Sequence, residues 1–412
     1  MRPALWSVVI QAAGSAASLA AALLVSRQLG LAAQGEFGLL RSWIDAAVTL
    51  AVLGFPQALL HLQYRAGVPV AALRAWVRRY IGVLVGVVAL LMLAAWLCWP
   101  AGGGMPALPL VLVAAATVPP AAAHLLWRAL ALRDVGAVRY ALLTVAPAVL
   151  ILIGLVPVCL TQSRGGLVWV LFAAAAVSAV ISGRLARRVA RQGVAAGDAA
   201  VPWSRRTLWA VSAETGGQNV LTGLTPAVVL SLAGALGATL AQLGIVSLGL
   251  QVYQLFGVAA AYVAPMLYDR AARAEQTMSG RELLALLRAN ATPRVLLGLA
   301  GLALFAAGLM PLLWPAGAAS PLLVLAMAVA GVLAMAVRLL VTLLLARGAF
   351  RPLTVNALGR LLIASATTAA LMPAWPATTA VPVALAFTEA VVLAWLLLLL
   401  SQGARYARRE SP

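Results

Sequence analysis

The stretch from Val25 to Leu62 reads VSRQLGLAAQGEFGLLRSWIDAAVTLAVLGFPQALLHL and joins two long apolar segments through a short turn. The first segment is apolar from residue 4 to residue 26, whereas the apolar region of a secretory signal peptide covers only about 7–15 residues. A helix that crosses a bilayer needs roughly 20 predominantly apolar residues. We therefore predict two membrane spans here, at 5–26 and 37–60.

The same pattern continues along the whole chain of 412 residues, of which 64% are hydrophobic and 9% charged. Soluble domains carry about 25% charged residues, so the composition indicates a membrane protein. We predict an all-α polytopic membrane protein with about twelve transmembrane helices. The predicted spans lie at 5–26, 37–60, 80–99, 108–127, 140–160, 167–183, 209–231, 239–265, 295–314, 320–346, 354–373 and 378–400.

The arginines predict the orientation of these spans. All 29 basic residues are arginine, and 25 of them fall in the two tails or in loops after even-numbered spans, if Arg360 is counted there. The loops after odd-numbered spans hold only Arg27 and Arg164. Cytoplasmic loops are enriched in Lys and Arg, so both termini are predicted to be cytoplasmic, in a bacterial inner membrane. The net charge of +19 is spread over short loops, which argues against nucleic-acid binding.

The longest polar stretch between spans, residues 184–208, divides the chain into two halves of six spans each. We predict an N-terminal bundle at 1–190, a cytoplasmic linker at 191–208 and a C-terminal bundle at 209–412. Six is an even number, so both halves have the same orientation, and a repeat would be related by an axis along the membrane normal.

A weak internal repeat supports this division. Leu29-Gly30 recurs as Leu236-Gly237, and Trp6 has a counterpart in Trp209. Alanine, leucine and glycine are so common in this chain that chance explains part of the match, and the repeat adds only modest weight to the two-bundle prediction.

Charged and strongly polar residues inside spans are costly and usually face a bundle interior or a wet cavity. Arg41 and Asp45 are four residues apart, which places them on one face of span 2, either as a self-neutralising pair or as cavity residues. Glu214 has no basic partner in its own span, and Glu389 lies near the middle of span 12. The candidate substrate or cavity residues are Arg27, Arg41, Asp45, Glu214, Gln218, Asn219, Gln251, Gln254, Arg338, Arg360 and Glu389.

The sequence lacks the motifs of an enzyme or an ATPase. Without lysine there is no phosphate-binding G-x-x-x-x-G-K-[ST] motif. Two cysteines and two histidines, at no metal-binding spacing, predict neither a metal site nor another cofactor. We expect a protein that is not an enzyme and that draws energy from an ion gradient, the membrane potential or the substrate gradient.

The stretch quoted first resembles the start of Wzx-type polysaccharide flippases, the O-antigen flippases of the multidrug/oligosaccharidyl-lipid/polysaccharide (MOP) exporter superfamily. The matching features are a first span that ends in a basic residue and Leu-Gly, the turn Gly35-Glu36-Phe37-Gly38, and a second span that closes with Leu53-Gly54-Phe55-Pro56. The twelve-span topology and the basic central linker extend the resemblance along the chain.

This resemblance implies two bundles that alternate between cytoplasm-facing and periplasm-facing states. The implied cargo is an undecaprenyl-pyrophosphate-linked glycan for lipopolysaccharide or another surface polysaccharide, and the implied partners are the bilayer and the polysaccharide polymerase and ligase machinery. Because a pyrophosphate is anionic and arginine offers paired donors, a cationic cavity would suit such a cargo. The candidates for it are Arg27, Arg41, Arg338 and Arg360.

Two alternatives stay open at the level of sequence. A proton- or sodium-coupled drug or cation antiporter would use unpaired acids, and Glu214 and Glu389 are compatible with that role. A membrane glycan polymerase or ligase would need a large periplasmic loop, whereas the predicted outer loops have about ten residues or fewer.

Overall fold

The computed structural model describes residues 2–56, 58–59, 62, 68–97, 108–135, 137–193, 205–273, 321–346 and 349–406, and all its regular elements in these ranges are helices. We number them along the chain. They are α1 (Arg2–Gln28), α2 (Leu31–Val52), α3 (Val70–Leu97), α4 (Leu108–Val135), α5 (Ala137–Leu160), α6 (Gly166–Gly193), α7 (Arg205–Ala235), α8 (Leu240–Arg273), α9 (Pro321–Ala346), α10 (Phe350–Leu371) and α11 (Ala377–Tyr406).

The predicted fold class, an all-α polytopic membrane protein, is confirmed. Eleven of the twelve predicted spans overlap described helices, and the remaining one, at 295–314, lies outside the described residues. Eight of the described helices contain a stretch long and apolar enough to cross a membrane.

The predicted second span, 37–60, overlaps α2 but extends past the end of this helix. Helix α2 starts earlier, at Leu31, and ends at Val52. Leu53 and Gly54 then take left-handed backbone conformations, with φ of 42° and 76°. Glycine adopts this conformation without steric cost, so the Leu-Gly-Phe-Pro sequence ends the helix.

The two halves of the weak repeat have matching local geometry. Gly30 separates α1 from α2 with φ of 89°, and Gly237 separates α7 from α8 with φ of 97°. Gly35 lies against the Leu240 carbonyl, and Gly244 lies against the Leu31 carbonyl. Each of these two glycines is the fifth residue of its helix, so α2 and α8 cross at equivalent positions.

The chain divides into two compact units, residues 1–244 and 245–412. In the first unit α1 packs on α5, α4 packs on α6, and α2 contacts both α4 and α7. Phe37, Leu40, Ile44 and Val48 recur every three or four residues along α2, and all four are buried. This spacing gives α2 one continuous apolar face toward the core of the unit.

Helix α7 belongs to the first compact unit because it packs closely on α2. Trp43 Nε1 donates to Ser231 Oγ over 2.7 Å, and Ser212 Oγ donates to the Leu53 carbonyl. A Cβ on Gly54 would lie only 2.4 Å from the Gly216 Cα, so the two backbones touch there. The predicted bundle division at 191–208 follows sequence length and the repeat, and it stays a prediction.

In the second unit α11 packs against both α9 and α10. Its buried face runs through Val381, Leu385, Val392 and Leu396, at intervals of four, seven and four residues. The helical position midway along this face, between Leu385 and Val392, is occupied by Glu389. A carboxylate is thereby placed on the apolar face of a helix, where it requires a partner.

Candidate functional site

Three helices of the second unit each place one polar side chain at a single buried point. Tyr253 comes from α8, Arg360 from α10 and Glu389 from α11. The exposed fraction is 6% for Tyr253, 6% for Arg360 and 0% for Glu389. We call these three residues the buried trio.

Hydrogen bonds connect every pair within the buried trio. Tyr253 Oη donates to Glu389 Oε1 over 2.7 Å. Arg360 Nη2 donates to Tyr253 Oη and forms a direct ion pair with Glu389 Oε1. The carboxylate and the guanidinium thus neutralise each other, and the tyrosine hydroxyl bridges them.

The buried trio lies near the middle of the membrane-spanning stretches. Arg360 occupies the centre of the candidate span Arg351–Leu371, and Glu389 the centre of Ala377–Leu400. A lone charge at such a depth costs about 2.5–3.5 kcal/mol on insertion scales, and pairing removes much of that cost.

Arg360 lies within a helix and not in the loop after span 10, where the sequence-based count of loop arginines places it. It is a buried residue of α10. Small neighbours on the same face, Ala357 and Ala364, leave room for the guanidinium. The number of arginines on the predicted cytoplasmic side falls from 25 to 24, and the asymmetry that predicts the orientation is unchanged.

The trio retains unused hydrogen-bonding capacity. Glu389 Oε2 and Arg360 Nε are enclosed and have no hydrogen-bond partner in the described part of the chain. Asn356 lies one helical turn before Arg360, is 3% exposed, and its Nδ2 also lacks a partner there. One acceptor and two donors could hold a water molecule, a proton or another small polar ligand.

Arg338 of α9 lies outside this network but close to it. Its side chain is exposed, in contrast to Arg360. Its positive charge acts electrostatically on Tyr253.

The described intramembrane charges of the first unit, in contrast to the buried trio, do not form a direct ion pair. Arg41 is half-buried, and its Nη2 donates to Ser18 Oγ of α1 over 3.4 Å. Asp45 is exposed on the same helix, and the charge of Arg41 acts on it electrostatically. No direct ion pair joins the two side chains among the described residues.

The remaining predicted site residues differ in their exposure. Arg27 and Gln254 are exposed, Gln218, Asn219 and Gln251 are half-buried, and the Glu214 side chain lies outside the described part of the structure. Gln218 Oε1 is enclosed and lacks a hydrogen-bond partner within the described residues, whereas Arg27 and Asn219 do make polar interactions.

Residues missing from the sequence-based prediction are Tyr253, which bridges Arg360 and Glu389, and the buried polar residues Asn356 and Thr368 of α10. The spacing of Asn356, Arg360 and Thr368, four and eight residues apart, places them on one face of α10, and all three are buried. That spacing is visible in the sequence and was the available signal. Within the described residues, no group of His, Cys, Asp or Glu could hold a metal ion.

No protein-family model matches this chain. No curated protein matches it either. Solved structures do match along nearly the full length, although their sequences differ greatly from this one.

An inward-facing multidrug-resistance MATE family transporter of the MOP superfamily is 14% identical with a TM-score of 0.70, over 99% of this chain and 100% of the other. The lipid II flippase MurJ, in an inward closed conformation, is 11% identical with a TM-score of 0.62, over 99% and 93%. A MOP superfamily transporter from Pyrococcus furiosus, described as having a binding pocket of reverse polarity, is 14% identical with a TM-score of 0.57, over 97% and 95%. The chain therefore has the fold of MOP superfamily transporters.

Proposed function

We propose that this protein is a membrane flippase that moves a lipid-linked oligosaccharide, an undecaprenyl-pyrophosphate glycan, from the cytoplasmic to the periplasmic leaflet. Transport would occur by alternating access, for the synthesis of a surface polysaccharide of the lipopolysaccharide or O-antigen kind. The protein would reside in the inner membrane beside the polysaccharide polymerase and ligase machinery, and it would perform no covalent chemistry.

The observation that carries this proposal is the pairing of Glu389 with Arg360. A cation antiporter needs an acid that can exchange its counter-ion, and Glu389 lies at the centre of the candidate span Ala377–Leu400. Its carboxylate already has a guanidinium and a tyrosine hydroxyl as partners. A built-in guanidinium makes this carboxylate a poor site for an external cation.

The accessible charges inside the described spans favour an anionic cargo. Arg338 is exposed and Arg41 is half-buried, with Asp45 as the accessible acid. A diphosphate must lose part of its hydration inside a membrane protein, and guanidinium groups can replace those hydrogen bonds two at a time. The similarity in fold to the lipid II flippase MurJ gives a precedent for a lipid-linked cargo on this architecture.

The competing function is a proton- or sodium-coupled drug antiporter, and one observation favours it. Glu389 Oε2 has no hydrogen-bond partner among the described residues, so it could accept a proton. The MATE family neighbours have the same fold, and the fold alone does not separate the two functions.

The test is transport by purified protein in vesicles. A fluorescent isoprenoid-diphosphate-linked sugar should become accessible on the opposite leaflet at a rate that depends on the protein and on Arg338. Arg338→Gln should slow it at least tenfold, while Arg164→Gln, which removes an exposed arginine from a turn between spans, should not.

Drug efflux that requires an imposed pH or sodium gradient, with no flipping, would establish the antiporter instead. In cells, deletion of the gene should cause a lipid-linked glycan intermediate to accumulate.

A further inference from the structure

Four arginines meet at one end of the first unit, where α3 packs on α6. Arg74 and Arg78 are four residues apart on α3, and Arg187 and Arg191 are four residues apart on α6. Each pair therefore lies on one face of its helix. Arg78, Arg187 and Arg191 are exposed, and Arg74 is half-buried. We call these four residues the arginine cluster.

The charges of the other three arginines in the cluster act on Arg74. Burial lowers the pKa of Arg74, and the nearby guanidinium groups of Arg187, Arg78 and Arg191 lower it further. Its Nε is enclosed and lacks a hydrogen-bond partner among the described residues. Four like charges at one place repel each other, and an anion between them would remove the repulsion and satisfy the unused donors.

An aromatic cluster next to these arginines indicates their depth in the membrane. Trp76 and Tyr80 of α3 stack at 4.8 Å, and Phe55 packs at 4.7 Å against Trp209, which is 45% exposed. Tyr80 Oη donates to the Ala51 carbonyl over 2.7 Å. Tryptophan and tyrosine prefer the level of the lipid headgroups. Arg74 precedes the predicted span 80–99, so we place the arginine cluster at the phosphate level of the leaflet.

We infer that the arginine cluster is a binding site for the phosphate groups of a lipid headgroup in the cytoplasmic leaflet. Two pairs of guanidinium forks can each grip a phosphate in bidentate fashion, which suits a diphosphate or the phosphates of two neighbouring lipids. The same chemistry is offered by an isoprenoid diphosphate and by an anionic phospholipid. The inference goes beyond the proposed function because it concerns lipid binding at the arginine cluster. Binding there is tested by an assay that does not require transport.

The experiment compares two variants that remove equal charge from the same helix. Arg187→Gln with Arg191→Gln removes half of the arginine cluster. Arg184→Gln with Arg188→Gln removes another exposed pair with the same spacing, neither of which is among the charges acting on Arg74. Binding is read from the ligand dependence of the unfolding midpoint in neutral detergent. The probes are farnesyl diphosphate, dioctanoyl phosphatidylglycerol and, as the phosphate-free control, dioctanoylglycerol.

Wild-type protein should bind at least one of the two phosphate probes, and the first variant should bind it at least tenfold more weakly. The control variant should stay within twofold of wild type. Tighter binding of farnesyl diphosphate would identify an isoprenoid diphosphate as the ligand, and equal or tighter binding of phosphatidylglycerol would identify a bilayer lipid. Equal losses in both variants, or equal stabilisation by dioctanoylglycerol, would overturn the inference.

A second variant protects this test against a folding defect. Arg187→Lys with Arg191→Lys keeps the charge but removes the planar guanidinium groups. This variant should fold as wild type does, and its affinity for the phosphate probe should be several-fold lower than that of wild type. Unchanged affinity in a well-folded lysine variant would show that bidentate contacts are not used and would overturn the proposed geometry.

Discussion

The two compact units differ in how their intramembrane charges are paired and how far they are exposed. In residues 245–412, Arg360 and Glu389 come from different helices and bond directly, fully enclosed, with Tyr253 as a bridge. In residues 1–244, Arg41 and Asp45 share one helix and one face, yet Arg41 bonds Ser18 and Asp45 stays exposed. Spacing on one helix therefore says which side chains share a face, but not which partner each will choose.

This difference indicates a division of roles between the two sets of charges. A fully enclosed ion pair can hold helices together, but it is slow to exchange partners because separation leaves a buried charge. Accessible charges contribute little to stability and are free to contact a ligand. We therefore expect variants of the buried trio to affect folding, and variants of Arg41 and Asp45 to affect transport.

The largest effect is expected for Glu389→Gln. The variant leaves the Arg360 charge buried without its counter-ion, which should cost about 3–5 kcal/mol and sharply reduce folded protein in the membrane. Adding Arg360→Gln should recover much of the loss, since two neutral amides can bond each other. The measurement is the yield and unfolding midpoint of detergent-extracted protein. Normal yield of Glu389→Gln with loss of gradient-driven transport would instead assign Glu389 to ion coupling.

A smaller effect is expected where the first unit depends on close backbone contact. A Cβ on Gly35 would lie 1.8 Å from the Leu240 carbonyl oxygen, so Gly35→Ala must push α2 and α8 apart. Overpacking of this kind costs about 1–3 kcal/mol. Gly82→Ala is the control, because a Cβ there meets nothing within 4 Å and alanine favours the helix. Equal unfolding midpoints for the two variants would contradict the close crossing at Gly35.

Tyr253→Phe tests the bridge in the buried trio and should cost about 1–3 kcal/mol, the contribution of a hydrogen bond to a charged partner. The ring remains, so packing should be unchanged. The loss should shrink when Tyr253→Phe is added to the double variant of Arg360 and Glu389, because the hydroxyl then bonds only neutral amides. A full, undiminished loss in that background would show that Tyr253 stabilises the unit through other contacts.

Sequence patterns predicted the fold far better than the site. Apolar segments of about 20 residues fix the helices, because hydrocarbon offers the backbone no other hydrogen-bond partners. The predicted bounds 37–60 run past the break at Leu53-Gly54, since apolarity alone does not mark where a helix ends. Arg360 and Glu389 were both singled out from the sequence, but their pairing depends on how α10 packs against α11. Helical spacing on one chain segment carries no information about that contact.

The smallest effect on stability is expected for Asp45→Ala, below about 0.5 kcal/mol, because the side chain is exposed and bonds no cation directly. Transport should nevertheless fall severalfold if Asp45 positions a ligand or acts electrostatically on Arg41.

The decisive comparison adds Arg41→Ala. A self-neutralising pair predicts that the double variant transports better than Asp45→Ala alone, since the stranded arginine is gone. The observed bond from Arg41 to Ser18 predicts no such rescue, because Arg41 has another polar partner and forms no direct ion pair with Asp45. Rescue in vesicles at equal protein amounts would restore the pair hypothesis and make the two units alike. Its absence would leave Arg41 free to bind the diphosphate while Glu389 keeps its own guanidinium.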